Sequence, residues 1–288
     1  MSILNITADG IPNIYEMVFL YLAKHGPISE EKLMSKCAPS TICDSKMFNN
    51  VLNRWSQFGV FIKDEQELWS VVESETLCPK KRALNAIFDN SKCLDVWSSE
   101  YACDFIRALI WILAQDVTKL KFDLESMQNL ESEQFSMVKE GSPIYMLRND
   151  TRLNGFKFWA SFLNILIKSG GDQVDPTDLI RMYLKEIFSG SKELSVDAFY
   201  ERLINILPIF PNAYLYEQVT SKLNDGRWPA PRKSQNELPT SLSRAILRLE
   251  IEGDIVTNDF KGDGNKMKLM YASDLAGKTI SHIKLGAK

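Results

Sequence analysis

The chain has 288 residues, of which 45% are hydrophobic and 25% charged, with a formal net charge of -3. That length holds two modest domains or one large one. It contains no uninterrupted apolar run of membrane-spanning length, and the opening "MSILNITADG" has no basic start or apolar signal core, so neither a spanning helix nor a secretory leader is expected.

Residues 13–26, "NIYEMVFLYLAKHG", place Ile14, Met17, Val18, Tyr21 and Leu22 at helical spacing, with Asn13 as cap and Gly26-Pro27 as stop. Ser29 is the expected cap of a second helix that opens with Glu30 and Glu31, where the helix dipole favours carboxylates. A third helix runs over residues 45–59, with Met47, Val51, Leu52 and Trp55 facing a core. The stretch "VFIKDEQELWSVV" then reads as strand, polar turn and strand. Three helices followed by a hairpin is the winged-helix pattern.

The middle is read as helical. Residues 94–116 and 151–171 are apolar enough to be packing helices, the second stopped by Gly170-Gly171. Residues 175–190 follow, with Asp175 or Thr177 as cap, while the polar residues 124–143 read as a helix end and a loop.

A second three-helix pattern with a hairpin fills the C-terminal third. Helices are expected over residues 195–208, 212–226 and 241–253, the last capped near Thr240 or Ser241 and closed by Gly253. "DIVTND" and "KMKLMY" are expected to pair around "FKGDGN", because the glycine of Asp263-Gly264 accepts positive φ. The tail beyond is expected to be mobile. The predicted class is therefore mainly α, with winged helices at residues 1–75 and 193–288 joined by a helical connector at 76–192.

Charge divides unevenly. Residues 1–75 carry six Lys/Arg against ten Asp/Glu, whereas residues 227–288 carry eleven against seven. A polyanion would meet the C-terminal end more readily. The candidate duplex-DNA contacts are Ser241, Ser243, Arg244 and Arg248 on the third helix, Lys261, Lys266 and Lys268 on the wing, and Arg232 and Lys233 in the preceding loop. The competing reading is that Arg248 pairs with Glu252 on its own helix face. In the acidic N-terminal copy, Lys46, Asn49, Asn50, Asn53 and Arg54 are read as a partner-binding face.

Catalytic chemistry finds little support. The two histidines, His25 and His282, have no recognisable nucleophile motif beside them. The five cysteines are scattered without a CxxC, so free thiols are expected, with no metal and no cofactor.

The opening "MSILNITADGIPN", running into "LAKHGPISEEKLMSKCAP", resembles the start of the DpdG family. The resemblance covers about 40 residues, and the motifs hold no catalytic side chain. It implies a non-enzymatic accessory of a bacterial system that inserts 7-deazaguanine bases into DNA and restricts unmodified DNA, working beside helicase and nuclease partners in the cytoplasm. A DNA-associated adaptor is thus the leading expectation. A protein-only tandem winged-helix scaffold, like accessory subunits of condensin-type complexes, and a transcription regulator are the alternatives.

Overall fold

The computed structural model describes residues 2–5, 11–38, 45–73, 78–89, 91–135, 146–221, 236–262 and 264–287. Among them are twelve helices, two three-stranded sheets and two two-stranded sheets. The chain forms two compact units: residues 1–106 with 149–163, and residues 107–148 with 164–288. The boundary expected at residue 75 falls inside the first unit, and that at 192 inside the second.

The first unit begins with helix α1 (Pro12–His25). Pro12 occupies the first helical turn, where its missing N–H costs nothing, and Asn13 is not the cap. Strand β1 (Ile28–Ser29), helix α2 (Glu30–Cys37), helix α3 (Ser45–Gln57), and strands β2 (Phe61–Lys63) and β3 (Leu68–Val71) follow. The sheet order is β1-β3-β2, all antiparallel, with Ile28 opposite Trp69 and Ile62 opposite Ser70. Ser29 precedes α2 but makes no side-chain cap bond. Helix α4 (Pro79–Ile87) and helix α7 (Asp150–Phe162) complete the unit.

Its core is aromatic. Tyr15 lies 4.1 Å from Trp55 and about as close to Phe61, Trp159 and Phe162 as ring edges allow, at 5.9 to 6.1 Å between centroids. The Tyr15 hydroxyl donates to the Pro79 carbonyl at 2.9 Å, which satisfies its one polar atom. Gly155 of α7 faces the Leu4 backbone so closely that a Cβ there would sit 2.0 Å from the carbonyl oxygen. Glycine is the residue that permits this approach.

The helix expected over residues 94–116 is shorter, spanning Cys103–Ala114 (α5). The preceding segment turns instead: Asp95 accepts the Trp97 N–H at 2.9 Å, and Tyr101 has φ 53. The unit boundary falls within α5.

In the second unit, the polar stretch read as a helix end and a loop forms helix α6 over Leu124–Phe135, its first turn held by Asp123 accepting from Ser126, while residues 136–143 lie outside the described residues. The helix expected across residues 151–171 stops at Phe162. Asn164 adopts φ 62, and strands β4 (Leu166–Lys168) and β5 (Asp172–Val174) make a hairpin around Gly170 and Gly171, both at positive φ. Helices α8 (Thr177–Met182) and α9 (Leu184–Phe188) lead to strand β6 (Glu193–Ser195) and helix α10 (Val196–Ile206), capped by the Ser195 hydroxyl, which accepts the Ala198 N–H. Helices α11 (Tyr214–Ser221) and α12 (Thr240–Ile251) follow.

The C-terminal strand pairing differs from the sequence expectation. Strand β7 (Ile255–Asn258) does not pair with β8 (Met267–Ala272). It pairs with β10 (His282–Leu285), which also pairs with β6, giving the order β6-β10-β7. Strand β8 pairs with β9 (Leu275–Ile280) through a two-residue turn at Ser273-Asp274. The segment expected to be a mobile tail is therefore sheet. Ser281 joins its parts by accepting the Phe260 N–H at 2.9 Å and donating its own N–H to Asn258. No helix among the described residues is long and apolar enough to cross a membrane.

Candidate nucleic-acid and partner interfaces

Helix α12 was expected to present its first turns outward. Those turns are instead buried in the second unit. Thr240 accepts the Val117 N–H and donates to the Gln115 carbonyl, both at 3.1 Å. Ser241 donates to the Leu113 carbonyl at 2.6 Å. Ser243 donates to Leu238 and accepts the Met270 N–H at 2.8 Å. A base-reading helix inserts its N-terminal residues into the major groove. Here those residues are fully buried, so Ser241 and Ser243 leave the candidate set.

Arg244 and Arg248 share a face of α12, but that face is neutralised. The Asp175 carboxylate, with no exposed side-chain surface, hydrogen-bonds Arg248 and lies 3.5 Å from Arg244 Nε. The same carboxylate accepts the Thr177 N–H at 3.0 Å and the Thr177 hydroxyl. Arg244 also donates to Gln173 at 2.9 Å, and Arg248 to Glu252 at 2.9 Å, the pairing the competing reading foresaw. Its bond to Asp175 and then that to Glu252 hold the Arg248 guanidinium more firmly protonated than usual. Arg181 extends the network to Asp178, Glu252 and Asp254. Three arginines thus meet four carboxylates, and this surface offers a phosphate no net positive charge.

The cations expected on the wing fare similarly. Lys266 pairs with Asp259, and Lys268 lies 4.0 Å from Glu237. Lys278, which the sequence reading did not single out, pairs with Glu250. Lys261 is exposed. Arg232 and Lys233 lie outside the described residues.

In the first unit, α3 buries Phe48, Val51, Leu52 and Trp55. Arg54 goes with them, 3% exposed, its guanidinium 5.8 Å from the Phe58 ring centre. It therefore leaves the partner-binding set, because its charge is packed against the core. Lys46, Asn53 and Gln57 are exposed, and Asn49, Asn50 and Ser56 half-buried. The far end of α3 is closed by two cations: Arg82 donates to the Gly59 carbonyl at 2.6 Å and Lys92 to the Gln57 carbonyl at 3.4 Å. The β2–β3 hairpin is acidic at its tip. Lys63 is drawn between Glu30 and Glu67, while Asp64 accepts the Gln66 and Leu68 N–H groups. On α1, Met17 and Leu20 are each 50% exposed.

Among the described residues, the two histidines lie in different units. His25 packs against Tyr21 in a tilted pair with 4.4 Å between ring centres, and His282 against Phe260 in another at 4.9 Å. His282 Nδ1 lies 3.2 Å from Ser281 Oγ, but that hydroxyl is already occupied by Phe260 and Asn258. No group of three His, Cys, Asp or Glu side chains among the described residues could hold a metal ion. A cavity of about 250 Å³ is lined by Gln115, Asp116, Lys119, Lys121, Ser126 and Met127, with the Ser126 side chain hydrogen-bonded to the Asp123 carboxylate.

No curated protein and no solved structure gives a significant match to this sequence. Comparison with protein families matches residues 1–259 to the family described as DpdG-like, far beyond the opening stretch that first suggested it. Since that match spans most of the 288 residues, the chain belongs to the DpdG-like family.

Proposed function

We propose that this protein is a non-catalytic adaptor that joins other subunits of a 7-deazaguanine DNA modification system. Family membership associates the chain with that system. Each unit contains helices with a three-stranded antiparallel sheet whose first strand lies beside the last, β1-β3-β2 and β6-β10-β7. On this reading both are winged helices, the second with the β8–β9 hairpin inserted between its last two strands.

The observation that carries the adaptor reading is the packing of α12. Its N-terminal hydroxyls bind protein carbonyls, and its arginines bind Asp175. A helix so engaged acts as a strut within its own unit. The exposed apolar residues Met17 and Leu20 on α1 suit a protein partner, since methionine is enriched at interfaces. The expected partners are helicase and nuclease subunits.

The test is co-expression of a tagged chain with the other proteins of its gene cluster, followed by mass spectrometry of the purified complex. At least one such subunit is expected to co-purify, and the isolated chain should neither hydrolyse ATP nor cut DNA. Isolation of the chain alone under gentle conditions would overturn the adaptor reading. So would an ATPase or nuclease activity abolished by a point change in this chain.

A further inference from the structure

We infer that duplex DNA is contacted by the first unit, through α2 and α3, and not by the C-terminal unit whose charge first suggested it. This rests on the winged-helix reading proposed above. In such a pair of helices, the second enters the major groove while the first crosses the phosphate backbone.

Helix α3 carries no Asp or Glu in its sequence "SKMFNNVLNRWSQ". Lys46, Asn49, Asn50, Asn53 and Gln57 recur at steps that keep them on one side of a 3.6-residue helix. Thirteen residues make a rod about 20 Å long, and the major groove admits a helix. Amide side chains can pair bidentately with adenine, and lysine with guanine. Helix α2 adds Lys32 and Lys36, four apart, both exposed. Neither they nor Lys46 forms an ion pair with a described residue, in contrast to Arg244, Arg248, Lys266 and Lys268 in the second unit. The nearest acids in sequence are Asp44, which lies outside the described residues, Glu30, held by Lys63 and the Trp69 indole, and Glu31.

The composition argues against a protein occupant on α3. Interface cores are rich in aromatic residues and arginine and poor in lysine and serine. On α3 the aromatic residues Phe48 and Trp55 and the arginine Arg54 are all buried, leaving lysine, asparagine, serine and glutamine outside, with Met47 half-buried. The acidic hairpin tip, with Asp64, Glu65 and Glu67, would repel phosphate. Contact is therefore confined to the two helices, and the binding is weak and strongly salt-dependent.

The experiment is salt-titrated binding of a fluorescent mixed-sequence duplex to the full chain. Variants are the triple change Lys32→Ala, Lys36→Ala and Lys46→Ala, the single change Asn53→Ala, and the pair Arg244→Ala and Arg248→Ala. The triple variant should lose most low-salt affinity, and the slope of log affinity against log salt should shrink by about 2.7, roughly 0.9 for each phosphate contact. Asn53→Ala should leave that slope unchanged and reduce the preference for adenine-containing over guanine-cytosine duplexes. The arginine pair should change the slope little. Absence of binding by the wild type at low salt would overturn the inference, as would an unchanged slope in the triple variant. If the triple variant binds DNA normally but no longer co-purifies with cluster subunits, this face is a protein interface. That outcome sinks the DNA assignment and leaves the adaptor reading intact.

Discussion

Replacing Asp175 with alanine tests whether α12 is held by charge within its own unit. The carboxylate is fully buried, accepts from three donors, the Thr177 N–H and hydroxyl and Arg248, and lies 3.5 Å from the Arg244 guanidinium. Removing one member of a buried ion pair typically costs about 3–5 kcal/mol. The two arginines here are 33% and 34% exposed, so on release they regain water, and solvent already screens part of the attraction. Arg248 also keeps Glu252. The expected loss is therefore about 2–3 kcal/mol, below the fully buried range. Asp175→Asn, which can still accept from Thr177, should lose about 1–2 kcal/mol. Urea denaturation followed by circular dichroism measures both, provided the slope with denaturant is unchanged. A double-mutant cycle with Arg248→Ala should give a coupling of about 1–3 kcal/mol. If Asp175→Ala stays within about 0.5 kcal/mol of wild type, the carboxylate does not anchor these arginines and the account of a neutralised α12 fails.

Three further outcomes follow from other parts of the fold. Burial alone would raise the Asp116 carboxyl, but hydrogen bonds from Thr118 and Ser273 outweigh it and hold its pKa at about 2. A carboxylate depressed in the folded state stabilises above its unfolded value, about 3.9, and that contribution disappears as pH falls through 2. Asp116→Asn should thus flatten the stability profile between pH 4 and 2, and an unchanged profile would contradict the assignment. All five cysteines should titrate as thiols in denatured, non-reduced protein. Because the Cys93 and Cys103 sulfurs lie 2.9 Å apart, pretreatment of the native protein with the thiol oxidant diamide should remove two of those thiols, and Cys103→Ser should prevent it. Gly155→Ala places a methyl group 2.0 Å from the Leu4 carbonyl oxygen, so thermal unfolding should show a loss of about 1–3 kcal/mol. A neutral result would show that the residue 2–5 segment yields freely.

Much of the helical framework was legible because local residues encode it. The stripe through Ile14, Val18 and Leu22 and the stops at Gly26, Gly59 and Gly253 carry their own spacing and backbone demands. Strand partners are not encoded locally. Residues 255–258 and 267–272 both look like strands, yet each pairs with a later segment, β10 and β9 respectively. Helix α6 was read only as a helix end because its buried side includes Glu131 and Gln134, polar residues whose partners are distant in sequence. Glu131 accepts the Met146 and Leu147 N–H groups, while Gln134 exchanges hydrogen bonds with Gln115. The pairing of the candidate cations was hidden for a related reason. Net charge correctly located cations in the C-terminal third, but it cannot show that Asp175, 73 residues before Arg248, already holds them. Arg54 looked like a surface residue because helical spacing does not reveal that a guanidinium is packed against the core.

The discontinuity of the first unit constrains the order in which the protein can be made. Tyr15 and Trp55 share their core with Trp159, contributed by a segment that leaves the ribosome only after residues 107–148 of the other unit. Synthesis at about 5–20 residues per second implies a delay on the order of ten seconds between those contributions. During it, the aromatic surface that α7 will cover has no native cover, while helices of the second unit are already emerging. Folding is therefore interleaved between the units instead of proceeding one domain at a time from the N-terminus, and the nascent chain has a defined interval in which chaperone protection matters most.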